Sequence, residues 1–362
     1  MNLGDTMPRF SFKHSFVEID REVLRSNARI LQRNLKPDVR TMAVVKADAY
    51  GHDAGIVAAA LGDLYSAFAV ANVDEAIMLR EAGITHPIMV FGVPWPETAD
   101  AYVAYDLIAV VSAADHFDIL KPGTRYHVEV DSGMGRLGFL PDSLEFLRDT
   151  LKRRSHLYCE GVMTHFATAD ETDSGHLKQQ KSILKELRSC FGSELTIHAA
   201  NSAASLDHPD THADMVRHGI ALYGYDPTPE PSAEFIPAMR WKSSVAQCKP
   251  VKKGMSLSYG ATWAAPVDGW YAVIPCGYAD GYRRNLSGRV PVLIGGKWYP
   301  QVGTVTMDYL MVWLGSDRYD TGTEVMVMGG ACNHAGVMAD TIDTIPYEIC
   351  CGIHPKIPRV PV

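Results

Sequence analysis

From Met42 onward, short apolar runs alternate with amphipathic stretches, and this alternation constrains the fold more than any other feature of the chain. Strand-like runs fall at 42–46, 66–71, 87–91, 107–111, 125–130, 158–164, 196–200 and about 214–217. Helical periodicity fits between most of them, as at 73–82, 142–153 and 176–190. A strand that returns through a helix comes back parallel, by a right-handed crossover. Roughly eight strands within ~220 residues suit a (β/α)8 barrel better than an open sheet. Upstream, Phe16 to Asp20 alternates like a strand, and Asp20 suits the N-cap of an amphipathic helix from Arg21 to about Leu35.

The pattern changes after Tyr225. Pro227, Pro229, Pro231 and Pro237 punctuate a linker, and β-rich runs follow at 239–248, 270–276, 290–294, 310–314, 324–328 and 347–353. The expected organisation is a loose tail over 1–14, a barrel over 15–235 and a mostly β domain over 236–362. A chain of 362 residues is long enough for two such cores. Its net charge of -8 argues against a nucleic-acid binder. No apolar run approaches the ~18 residues of a membrane span, and no signal peptide is visible. The seven cysteines are scattered without a CxxC pair, which fits reduced thiols in the cytoplasm and no metal site.

In a barrel of this kind the chemistry sits at the C-terminal ends of the strands. The first strand-like run ends on Lys46, followed by Ala47-Asp48-Ala49-Tyr50-Gly51-His52. A lysine against a low-dielectric wall has a lowered pKa, which suits a Schiff-base or general-base role; the alternative is a strand-end lysine whose ammonium reaches water. Along 125–130, alternation puts His127, Glu129 and Asp131 on one face. Inward carboxylates need a cation, and Arg136 in the following Gly-rich loop can supply it. His165 ends the next run and can serve as base, ligand or stacking surface. Asn201 and Ser202 open a helix among small residues, which suits either an anion or a plain cap. Arg217, Gly219 and Ile220 follow the last run, where barrels often hold phosphate. The β domain adds three polar-aromatic loops, around Tyr259, Tyr278 and Met307-Asp308.

Together the motifs AVVKADAYGH, DSGMGRLGF, THFATAD, NSAA, RHGIALYG, SYGAT, GYADG, TMD and YEICCGIHPKIPR resemble those of the alanine racemases, fold-type III enzymes dependent on pyridoxal 5′-phosphate. The resemblance runs from about Phe16 to Arg359. It implies a barrel, a β domain and a head-to-tail homodimer with shared active sites and a small amino acid as substrate. Lys46 would bond the cofactor, and Tyr259 would be the second base in racemisation. Tyr259, Tyr278 and Met307 would enter from the partner subunit, with Asp308 in support. His165 would stack on the ring, Arg217 would meet the pyridine nitrogen, Tyr50, Ser202, Gly219 and Ile220 would hold the phosphate, and Asn201 would also bind the cofactor. Arg136 and the Met307 N–H would receive the substrate carboxylate.

The chain departs from the pattern in several places. Glu129 stands where better-known members carry a carbamylated lysine, so it would orient Arg136 without CO2. Thr304 replaces an arginine near the substrate entrance, His218 a proline, Asp53 a glycine, and Pro355 a tyrosine near the phosphate. A less guarded entrance leaves serine or larger amino acids as alternative substrates. Three rivals remain. A decarboxylase of the same fold type would lean on a cysteine such as Cys332. The others are a non-catalytic cofactor carrier and a Schiff-base aldolase without the phosphate cofactor.

Overall fold

The computed structural model describes residues 15–172 and 174–362. The expected tail over 1–14 lies outside the described residues. The chain divides into two compact units, one spanning Arg21–Ile236 and the other joining the N-terminal segment through Asp20 to Pro237–Val362.

Strand β1, Phe16–Ile19, therefore does not open the barrel unit, although the sequence places it there. It pairs antiparallel with Met239–Ser244 and parallel with Arg359–Pro361. Alternation identifies a strand but not its partner, and here the partners lie at the far end of the chain.

Among the described residues of the first unit, eight parallel strands close a barrel: β2 (Arg40–Val44), β3 (Ala67–Val70), β4 (Ile88–Val90), β5 (Leu107–Val111), β6 (Arg125–Glu129), β7 (Tyr158–Met163), β8 (Thr196–His198) and β9 (Met215–His218). β9 returns to β2 with Arg40 opposite Met215, which seals the ring. Runs such as Leu107-Ile108-Ala109-Val110-Val111 are buried throughout, as expected where helices cover one face and the barrel interior the other. The helix Arg21–Gln32 buries Leu24, Asn27, Ala28 and Leu31, one stripe at helical spacing. Asn27 is fully buried and satisfied: its Nδ2 donates to the carbonyls of Leu222 and Ile236 at 3.1 and 2.9 Å.

In the second unit the strands are β10 (Met239–Ser244), β11 (Gln247–Val251), β12 (Ser256–Leu257), β13 (Trp263–Ala264), β14 (Gly269–Ile274), β15 (Pro291–Ile294), β16 (Lys297–Val302), β17 (Leu310–Gly315), β18 (Glu324–Met328) and β19 (Arg359–Pro361). Among the described residues a nine-stranded sheet runs β11-β14-β17-β16-β15-β18-β10-β1-β19, with β12 and β13 as a separate hairpin. The expected strand at 347–353 is instead the helix Pro346–Cys351. Pro346 sits in its first turn, where a missing N–H costs nothing. Its short buried run, Ile349-Cys350, has no period long enough to tell helix from strand.

Candidate active site

Lys46 lies just past the end of β2 and begins an unusual segment. Ala47, Asp48, Ala49 and Tyr50 all adopt left-handed backbone angles, with φ between 52 and 53°. Left-handed geometry costs a residue with a side chain about 1–2 kcal/mol, so four in succession persist only if surrounding contacts enforce them. Those contacts are present. The Ala47 N–H donates to Glu75 Oε1 at 2.8 Å, and Asp48 Oδ1 accepts from the Ala54 N–H at 2.8 Å. The Tyr50 and His52 rings pack on Tyr223 at 4.9 and 4.6 Å between centroids. Tyr223 in turn donates its hydroxyl to the Val44 carbonyl at 2.8 Å.

The left-handed turn carries Tyr50 to the end of β9. A Cβ added at Gly219 would lie 3.0 Å from the Tyr50 hydroxyl and 3.9 Å from Ser202 Oγ. The Gly219 N–H already donates to Ser202 Oγ at 2.8 Å. Two hydroxyls and a backbone segment thus line a cradle that any side chain at 219 would fill. Ile220 follows, buried, at the start of the turn Ile220–Tyr223. Asn201 stands at the neighbouring helix start, where its Oδ1 caps Ser202–Asp207 by accepting from the Ala204 N–H at 3.0 Å.

Arg217 is buried between β8 and the end of β7. Its Nη1 donates to His198 Nδ1 at 2.9 Å, and the two Nη2 hydrogens are shared among the carbonyls of Thr164 and Ala199, both at 2.8 Å, and His165 Nδ1 at 3.1 Å. Burial lowers its pKa only to about 10, so it stays charged near neutrality. The acceptor roles fix both imidazoles: each carries its proton on Nε2. His198 passes the direction on, donating from Nε2 to His127 Nδ1 at 2.9 Å. Burial, then the charges of Arg217, Arg136 and Lys46, push His165 down to about 3, so it is neutral. Sequence reasoning misses His198; the inward alternation of Thr196 and His198 along β8 is the signal that could have found it.

Glu129 is buried on β6, with only 4% of its surface exposed. Burial raises its carboxyl to about 7 against the opposing pull of Arg136 and Arg217, with Asp131 adding to the rise. Arg136 itself is exposed, on a loop tied by Asp131, whose Oδ1 accepts from the Gly133 and Gly135 N–H groups at 2.9 and 3.0 Å. Arg136 therefore acts on Glu129 through space.

In the second unit, Tyr259 lies in the turn between β12 and β13, 69% exposed. Ser258 Oγ donates to the Thr304 carbonyl at 2.5 Å and Thr304 Oγ1 to the Tyr259 carbonyl at 2.9 Å, so Thr304 serves to hold that turn. Tyr278 N–H donates to the Thr306 carbonyl at 3.1 Å, and Ala279 N–H to the Met307 carbonyl at 2.9 Å. A side chain at Gly277 would strike the Met307 carbonyl at 2.3 Å, which is why glycine precedes Tyr278. Tyr278, Met307 and Asp308 are all exposed. Cys332 sits in a turn closed by buried Asn333, whose Oδ1 accepts from the Gly330 N–H at 2.8 Å, a structural arrangement. Among the described residues no three His, Cys, Asp or Glu side chains gather as metal ligands, and no helix is long and apolar enough to cross a membrane.

Known proteins resemble the chain along nearly all of it. The family described as alanine racemase, N-terminal domain, matches residues 19–227. The family described as alanine racemase, C-terminal domain, matches residues 238–361. An alanine racemase of Carboxydothermus hydrogenoformans is 40% identical, the match covering 95% of this chain and 98% of that protein. One from Symbiobacterium thermophilum is 39% identical over 95% of this chain and 96% of its own length. Among solved structures, alanine racemase from E. faecalis superposes with a TM-score of 0.91 at 32% identity, covering 98% of this chain and 100% of that one. Alanine racemase from Bacillus anthracis with bound L-Ala-P gives 0.87 at 35% identity, covering 97% and 95%.

Proposed function

This chain belongs to the alanine racemase family, both of whose domains it carries, and on that premise we propose that it interconverts L- and D-alanine using pyridoxal 5′-phosphate, as a homodimer with shared active sites. The observation that carries the cofactor assignment is the cradle at Gly219, where the Tyr50 and Ser202 hydroxyls converge beside a backbone N–H. The two hydroxyls suit a phosphate lying against the Gly219-Ile220 backbone. The residues around it suit the rest of the group. Lys46 offers the amine that bonds an aldehyde, and neutral His165 offers a flat face for the ring. The contacts of Arg217 run through Nη1 and Nη2, and Nη1 makes a single one, so Arg217 still has N–H groups, on Nε and Nη1, that would meet the pyridine nitrogen. A guanidinium does not give up its proton, so that nitrogen stays unprotonated.

When bound, the cofactor supplies an electron-withdrawing ring that acidifies the hydrogen on the substrate α-carbon. Removing that hydrogen from one face and returning one to the other is simplest with two bases. Lys46 serves one face. Tyr259 serves the other from the partner subunit, and Tyr278 and Met307 accompany it. The guanidinium of Arg136 receives the substrate carboxylate with the Met307 N–H. Above about pH 7, where its carboxyl is ionised, Glu129 would present to Arg136 through space, without CO2, the negative group that relatives make from a lysine.

Borohydride reduction of the holoenzyme followed by peptide mapping tests the cofactor assignment; a tag on Lys46 is expected, and one on any other lysine removes it. Comparing kcat/KM for L-Ala, L-Ser and L-Lys tests the substrate. Preference for alanine is expected, and preference for the long side chain overturns it.

A further inference from the structure

We propose that Glu75 is a positioning residue for Lys46, an inference that takes the reading of Lys46 above as its premise. Glu75 is the third residue of the helix Val73–Glu81, and its own N–H donates to the N-cap side chain of Asn72 at 2.9 Å. A glutamate at this position normally reaches back to the N–H of the capping residue. Glu75 does something else. Its Oε2 accepts from the N–H of Ala71, the residue before the cap, at 2.7 Å, and its Oε1 accepts from the N–H of Ala47 at 2.8 Å. The two backbone groups follow neighbouring parallel strands, β2 and β3. One carboxylate therefore ties the peptide immediately after Lys46 to the peptide immediately after β3.

The place of that tie gives it a function. Ala47 is the first of the four left-handed residues. Such a run holds only while its surroundings over-determine it. The Ala47 N–H bond is one of the contacts that do so, and its acceptor is charged, which makes it among the stronger ones. Losing it lets the peptide after Lys46 relax toward the ordinary right-handed region, which swings the lysine stem away from the end of β2. Both oxygens are used, so the residue must present two acceptors. Glutamine has one, and would turn an amide N–H2 against the second backbone N–H.

The test uses full-length E75A and E75Q. In cofactor-free protein, amide hydrogen exchange over residues 47–50 is expected to rise about 10-fold or more in E75A, the scale of one lost charge-assisted hydrogen bond. In the holoenzyme kcat for L-Ala is expected to fall at least about 10-fold with KM within about twofold, because the base is displaced while the substrate carboxylate is still received. E75Q, keeping one acceptor, should fall between wild type and E75A in both measurements. If E75A fails to fold, E75Q alone decides. Faster exchange confined to 73–81 with kcat unchanged would make Glu75 only a helix cap and overturn the proposal, as would wild-type exchange over 47–50. The wild-type borohydride tag checks the premise separately: a tag off Lys46 defeats the reading of the lysine, whatever Glu75 does to the turn.

Discussion

Arg217 and His198 meet at 2.9 Å with both side chains buried, the guanidinium donating and the imidazole accepting. The cation is thereby held by a neutral partner, since burial and the adjacent charge of Arg217 drive the His198 pKa well down. Replacing His198 with alanine strands one Arg217 N–H in the barrel interior. The expected loss is about 1–3 kcal/mol of stability, read as a lower urea midpoint for the cofactor-free protein. An unchanged midpoint would mean that water replaces the imidazole at no cost.

The Glu129 carboxyl, ordinarily near 4.5, is pushed up to about 7 by burial. The folded protein therefore binds a proton that the unfolded chain releases between those two values. Stability conferred by this group is intact below about pH 4.5 and is lost as pH rises through about 7. The penalty above that is on the order of 3 kcal/mol. E129Q should thus be more stable than wild type at pH 8, with the gap closing toward pH 5. Urea titrations of the cofactor-free proteins at both pH values check this, and a gap independent of pH would refute it.

Gly219→Ala puts a Cβ into the cradle, 3.0 Å from the Tyr50 hydroxyl. Binding of pyridoxal 5′-phosphate is expected to weaken about 10-fold or more, the scale of one lost good contact to a charged group. Pyridoxal, which lacks the phosphate, should bind both proteins alike. Equal losses for the two ligands would move the phosphate elsewhere.

Ala47 is exposed at φ 53°, a geometry glycine adopts without penalty. Ala47→Gly should stabilise the cofactor-free protein by about 0.5–1 kcal/mol, relief of strain outweighing the extra freedom of the unfolded chain. A urea midpoint below wild type would show that contacts made by the methyl group matter more than the backbone.

The barrel is legible in the sequence because parallel strands buried on both faces leave short, dense apolar runs, and runs such as 107–111 coincide with the observed strand. The motif residues at the strand ends are legible from the same placement. What stays hidden is non-local or unsignalled. Phe16–Ile19 announces itself as a strand, but nothing nearby names Arg359–Pro361 as its neighbour. Ala47-Asp48-Ala49-Tyr50 contains no glycine, so the left-handed turn after Lys46 leaves no trace in composition. Glu75 reads as an ordinary first-turn helix acid until its carboxylate is seen bridging two strand ends. The small residues after Asn201 fit either an anion site or a plain cap, and the structure shows its Oδ1 accepting from the Ala204 N–H.

Strand β1 has a bearing on biosynthesis. Val17 sits opposite Trp241 on one side and Arg359 on the other. The second of these neighbours is translated long after Val17 itself. At ~5–20 residues per second, the intervening ~340 residues take ~20–70 s to synthesise. The edge toward Met239–Ser244 gains its partner earlier, but the edge of Phe16–Ile19 toward Arg359–Pro361 stays open throughout that interval. The last strand of the sheet is added only once Arg359–Pro361 has been made, so deleting that short segment would leave a much earlier-made strand half paired.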